Sequence, residues 1–126
     1  MKFSELKAGE LPLISSYGNG GFRIAERRFD GSILLNQQGA YPWSVEQAAD
    51  IKLESLSRIL TPEDLASPEV LLVGTGACMV LPPKSLRDYS RDHNIAIEFM
   101  DSGAAARTYN VLLQEGRSVA AAIIAV

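Results

Sequence analysis

Residues 95–126 read IAIEFMDSGAAARTYNVLLQEGRSVAAAIIAV, and the reading of this stretch decides the fold. An apolar strand from Ile95 to Met100 meets Asp101-Ser102-Gly103. Asp101 or Ser102 can accept hydrogen bonds from the first free N–H groups of a helix, which predicts a helix over 102–116. Ala105, Tyr109, Leu112 and Leu113 recur at helical spacing and form its buried face, while Arg107, Asn110 and Gln114 make one polar stripe. Ser118 to Val126 form a last strand. Its eight terminal apolar residues predict burial on both sheet faces.

Upstream the same alternation holds. VLLV at 70–73 is apolar at every position, as a strand covered on both faces should be. PPKSLRDYSRDHN (82–94) is helical in pattern. Leu86, Tyr89 and His93 share one face, Lys84, Arg87 and Arg91 line another, and Asn94 suits a left-handed helix end. The order β-α-β-α-β predicts parallel strands joined by crossovers. The first third reads as antiparallel sheet. Asn19-Gly20 and Asp30-Gly31 are hairpin-turn pairs, predicting a meander of strands near 11–17, 22–29 and 32–36. AYPWSV (40–45) is a fourth extended piece, with Pro42 confining it to an edge or a bulge. Leu53, Leu56, Ile59 and Leu60 fit one face of a short helix. TPED (61–64) predicts a helical turn over 62–66, capped by Thr61. The fold class expected is thus α/β, one domain over 1–126, joining an N-terminal antiparallel meander to a C-terminal parallel half.

Composition narrows the function classes. Twelve basic and fifteen acidic residues leave a net charge of −3, which argues against a dedicated nucleic-acid binder. The one cysteine, Cys78, excludes an intrachain disulfide and a Cys-based zinc cluster. The start, MKFSELKAGELPLI, lacks the apolar core of a secretory signal, and no apolar run approaches the ~20 residues of a membrane span. A cytoplasmic protein with no transmembrane segment is expected, and the residues point to no cofactor and no metal.

Several groups invite a chemical reading. Gly74-Thr75-Gly76 comes after a buried strand, as a dinucleotide fingerprint would. However, Met79 stands at the third small position, and no helix can open before Pro82 or Pro83, so turn glycines are the better reading. Thr75, Glu98, Asp101 and Ser102 come from strand carboxyl ends, where ligands of open α/β sheets gather, and are the candidate small-molecule crevice. Arg107, Asn110 and Gln114 are the candidate partner surface, because arginine forks pair with carboxylates. Arg23, Arg27 and Arg28, read as one strand, either guard a sheet edge or meet an acidic partner. Trp43 is an interface anchor or core. His93 ends a helix without an acid/base partner, and Cys78, in an apolar stretch, is expected to be buried and inert. No catalytic residue is assigned.

YGNGGFRI, DGSILL, PW and VLLVGTG, with MDSGAAARTYNVLLQEGRSVAAAII after them, resemble a small-domain family of unassigned function. That family includes a mitochondrial respiratory complex I assembly factor, an adipogenesis-associated protein and many bacterial hypothetical proteins. The most specific part is the block from Asp101 to Arg117. Ser102 stands where the family usually has Thr, keeping the hydroxyl, and Ala106 where a Cys is common, which removes thiol chemistry at that position. The resemblance implies a compact three-layer α/β fold without established catalytic residues. It also implies a protein partner and a role in assembling a membrane complex. A non-enzymatic interaction domain is therefore the leading expectation, with a binder or enzyme using the strand-end crevice as the alternative.

Overall fold

The computed structural model describes residues 4–5 and 11–126. Its centre is a six-stranded mixed sheet in the order β1-β6-β5-β9-β7-β8. These strands are Ser4–Glu5 (β1), Gly39–Pro42 (β6), Ile33–Asn36 (β5), Val119–Ile123 (β9), Val70–Gly74 (β7) and Ala96–Met100 (β8). A separate antiparallel sheet holds Ile14–Gly18 (β2), Gly21–Ile24 (β3) and Arg27–Asp30 (β4) in sequence order. Three α-helices join them: Ser57–Leu60 (α1), Lys84–His93 (α2) and Ser102–Gln114 (α3).

The parallel half matches the β-α-β-α-β expectation. β7 lies between β8 and β9 and runs parallel to both. Period-two alternation sends Val70 and Leu72 to one face with Ala105, Tyr109 and Leu113 of α3. Leu71 and Val73 go to the other face with Leu86 of α2 and Leu56, Ile59 and Leu60. The two crossover helices therefore cover opposite faces. The small sheet adds Ile14, Phe22, Ile24 and Phe29 to the α3 side, which completes three layers.

The N-terminal half departs from a simple meander. Asn19-Gly20 does turn β2 into β3, with φ of 52° and 78° as a tight two-residue turn requires. The stretch 22–29 is not one strand, however. It reverses at Ala25-Glu26, whose φ values of 48° and 69° make a second turn of the same hand without a glycine. Arg23 braces that turn by donating to the Glu26 carbonyl at 2.8 Å. Arg23 thus stands on β3, and Arg27 and Arg28 on β4, with Arg28 opposite Arg23. Asp30-Gly31 is the point where the chain leaves the small sheet. β5 pairs with β6 and β9, and the AYPWSV piece enters the central sheet as β6.

Two 3-10 turns, Ala48–Asp50 and Leu53–Leu56, lead into α1, and Leu56, Ile59 and Leu60 are buried as their spacing predicts. The expected turn over 62–66 does not form. Thr61 instead closes α1, directing both its N–H (2.9 Å) and its hydroxyl (3.1 Å) to the Ser57 carbonyl.

Gly74 ends β7 where α3 begins. A Cβ there would stand 2.8 Å from Ile123 Cγ2 and 2.9 Å from the Ser102 Cα, a backbone atom that cannot swing away. Gly74→Ala is expected to cost about 1–3 kcal/mol of overpacking strain in urea unfolding, without changing the fold.

Candidate functional site

The carboxyl ends of β7 and β9 and the start of α3 are tied by one hydroxyl. Ser102 is wholly buried; its Oγ donates to the Ile124 carbonyl at 2.6 Å and accepts from the Gly76 N–H at 2.9 Å. The Ser102 N–H returns the bond by donating to the Gly76 carbonyl at 2.8 Å. Asp101 caps α3, accepting from the Ala104 N–H at 2.9 Å. Thr75 is buried beside them. Its hydroxyl donates to the Cys78 carbonyl at 2.7 Å, with the Met100 carbonyl at 3.2 Å, and accepts from the Val80 N–H at 3.1 Å. Of the crevice residues read from sequence, Thr75, Asp101 and Ser102 come together, each bonded to backbone. Glu98 stands exposed on the edge strand β8. The second glycine, Gly76, takes φ 103°, so both glycines of the pair answer to local geometry.

Thr75 shapes the loop that leads to α2. Its bonds to Cys78 and Val80 draw the loop backbone inward, and the side chains point out. Met79, Val80 and Leu81 are 54%, 43% and 75% exposed. Cys78 is exposed too, contrary to the buried thiol expected of an apolar stretch. The clue lay in Pro82-Pro83, which bar both strand and helix before Lys84. An apolar run held in a loop has no layer to bury it. Tyr17 and Val126, at 38% and 37%, lie at the same end of the molecule. The Tyr17 hydroxyl comes so near Gly103 that a Cβ on that glycine would stand 2.8 Å away, and the Val126 carbonyl accepts from the Gly20 N–H at 2.8 Å.

The polar stripe on α3 divides by role. Asn110 works as a backbone mimic: its Oδ1 accepts from the Ile14 N–H at 2.9 Å and its Nδ2 donates to the Ile14 carbonyl at 2.7 Å. It thereby satisfies both main-chain groups of one β2 residue and docks the small sheet on α3. Arg107 is exposed and donates to the Tyr17 hydroxyl, and a groove of about 380 Å³ runs past both. Gln114 is exposed one turn beyond Asn110. Trp43 is core, 5% exposed with its indole N–H donating to the Ser55 carbonyl at 2.9 Å, so it presents nothing to a partner. Arg28 pairs with Asp30 at 3.1 Å and donates to the Asn19 carbonyl at 2.8 Å, bracing the first turn as Arg23 braces the second. His93 is exposed and stacks on Tyr89 with ring centroids 3.9 Å apart. Among the described residues no three His, Cys, Asp and Glu side chains converge as a metal centre would need.

Fold and site together define a three-layer α/β domain whose sheet turns into α3 through an Asp-Ser-Gly junction centred on the buried Ser102. The chain belongs to the family described as protein of unknown function (DUF498/DUF598), whose model matches residues 14–124. This is the family that the Asp101–Arg117 block resembles. An uncharacterised protein of Rhodobacter capsulatus is 38% identical over 117 residues, covering 93% of this chain and 86% of the relative. The NADH dehydrogenase [ubiquinone] 1 alpha subcomplex assembly factor 3 of Xenopus tropicalis is 32% identical over 122 residues. That match takes in 95% of this chain but 64% of the assembly factor, so the chain spans under two-thirds of that relative. The crystal structure of an outer membrane protein from Bartonella henselae superposes with a TM-score of 0.81 at 39% identity, covering 92% of this chain and 98% of that one. Among the described residues no helix is long and apolar enough to cross a membrane.

Two substitutions test the junction and the helix behind it. Ser102→Ala strips a partner from the buried Ile124 carbonyl and from the half-buried Gly76 N–H and is expected to cost about 1–3 kcal/mol in chemical denaturation. Tyr109 is buried with its hydroxyl lacking a partner among the described residues, and burial pushes its pKa up from the ordinary 10.0. A raised folded-state value means stability present in full below pH 10 and lost as pH climbs from there. Tyr109→Phe is therefore expected to hold or gain stability at pH 7 and to resist alkaline unfolding better than the parent, measured by urea midpoints at both ends of the range.

Proposed function

We propose that this chain is a non-enzymatic protein-interaction domain that acts in the cytoplasm in the assembly of a membrane complex. The observation that carries this reading is the loop Met79-Val80-Leu81. It projects three adjacent apolar side chains into solvent while the Thr75 hydroxyl bonds its backbone at Cys78 and Val80. Contiguous exposed apolar residues on a braced loop are the mark of a surface made to be covered. Tyr17 and Arg107, hydrogen-bonded to each other at the head of α3, are a second exposed group with the aromatic and guanidinium chemistry that anchors interfaces. The polar groups at the strand ends are bonded to backbone, which favours a partner over a turned-over substrate. The assembly-factor name of a relative at 32% identity supports the same reading.

The test is affinity capture from native membranes with quantitative mass spectrometry, comparing the parent chain with a Met79→Ser/Leu81→Ser variant. Both positions are exposed, so stability should stay within about 0.5 kcal/mol. Recovery of the reproducible partner is expected to fall by about fivefold or more, the loss typical of truncating interface anchors. Equal recovery by the two proteins, or no reproducible partner for either, would overturn the proposal.

A further inference from the structure

At the other end of the sheet, α1, the chain after it and the β5–β6 turn enclose a cleft of about 470 Å³. Asn36 closes β5 there and is only 3% exposed. Its Oδ1 accepts from the Gln38 N–H at 2.9 Å, which shapes the turn. Asn36 lines the cleft, and its side-chain NH2 has no acceptor among the described residues. Arg58 stands alongside with its guanidinium 4.1 Å from the centroid of the Tyr41 ring. Tyr41 is itself buried, so the guanidinium rests on a fixed platform. Arg58 has no hydrogen bond or ion pair to a described residue. Glu63 and Asp64 line the same cleft, and neither carboxylate pairs with it.

Among the described residues, donors and acceptors thus share one cavity without meeting. A guanidinium held over an aromatic ring can keep N–H groups free for the two parallel bonds that a carboxylate or phosphate accepts. The side-chain amide of Asn36, on a residue only 3% exposed, adds a second donor. A purely anionic ligand would also face Glu63, Asp64 and a chain of net charge −3. A ligand carrying a positive group as well turns those carboxylates from repulsive to attractive. The volume suits a small metabolite.

We propose that this cleft binds a small zwitterion, its oxyanion seated on Arg58 and Asn36 and its ammonium group directed to Glu63 and Asp64. Amino acids and phosphorylated amines share that chemistry. The site is remote from the Met79–Leu81 surface, and its failure would leave the interaction reading untouched.

Titration of the 15N-labelled full chain, monitored by two-dimensional NMR, tests it. The probes are glycine, β-alanine, L-serine and phosphoethanolamine, with acetate and ethylamine as single-charge controls. At least one zwitterion should give saturable shifts confined to residues 36–41 and 57–64, and the winning probe separates carboxylate from phosphate ligands. Each single-charge control should bind about tenfold more weakly or less. Arg58→Ala should weaken the bound probe about tenfold, the scale of one charge-assisted pair, and Arg58→Lys should restore only part of it. A Glu63→Gln/Asp64→Asn variant should lose the preference for zwitterions over acetate. The same spectra report whether each variant is folded. No saturable shift with any zwitterion, or binding unchanged by Arg58→Ala, would overturn the proposal.

Discussion

The whole architecture depends on β9 being wedged between two halves of opposite polarity. It pairs antiparallel with β5 and parallel with β7, so within the central sheet it is the strand that joins the hairpin-built half to the crossover-built half. Its side chains explain how it fits there. Ala121 faces α3 and the bulk of Tyr109, while Ala120 and Ala122 face the side of Leu56 and Leu86. Small residues in the middle layer let large ones from the outer layers reach in, which is how close packing is achieved without voids. The helix junction hangs from the same strand, because the Ser102 hydroxyl is bonded to the carbonyl of Ile124 just beyond it.

The two ends of the sheet are finished in opposite ways. At the carboxyl ends of the parallel strands, polar groups turn inward to satisfy the backbone and apolar ones turn out. At the amino ends, Asn36 and Arg58 line a polar cleft with donors that no described residue accepts, while the apolar side chains nearby, Ile59 and Leu60, go to the core. Apolar surface without a partner favours contact with another macromolecule; oriented donors without acceptors favour a small charged molecule. These are different demands, and the fold separates them by the length of the sheet.

Much of this was legible in the residues because local and global signals agreed. VLLV predicted a doubly covered strand and Asn94 a left-handed helix end, and each took that role; of the two cap candidates, Asp101 and Ser102, it is Asp101 that caps α3. The departures arose where tertiary contacts replaced local signals. Ala25-Glu26 carries no turn residue, and its conformation is held by a side chain two positions earlier, so no pattern could announce it. Thr61-Pro62 has the composition of a helix start, yet the preceding helix claimed the threonine first. Arg58 and Asn36 lie far apart in the chain, and nothing in their spacing foretells a shared cavity. The apolar loop was the readable miss: the two prolines after it excluded regular structure, which leaves apolar side chains nowhere to be buried.

The small sheet has a further consequence for motion. Each non-glycine residue held at positive φ costs on the order of 1 kcal/mol, and the β3–β4 turn holds two of them, Ala25 and Glu26. Its three strands are four or five residues long, and its polar ties to α3 are the Asn110 clamp on Ile14 and the Arg107 bond to Tyr17. Excursions from the native state are cheapest where few bonds must break at once. This flap of sheet should therefore lift as a unit before the central strands yield, baring Phe22 and Ile24 briefly, and amide exchange in β2 and β3 should outpace that in β7 and β9.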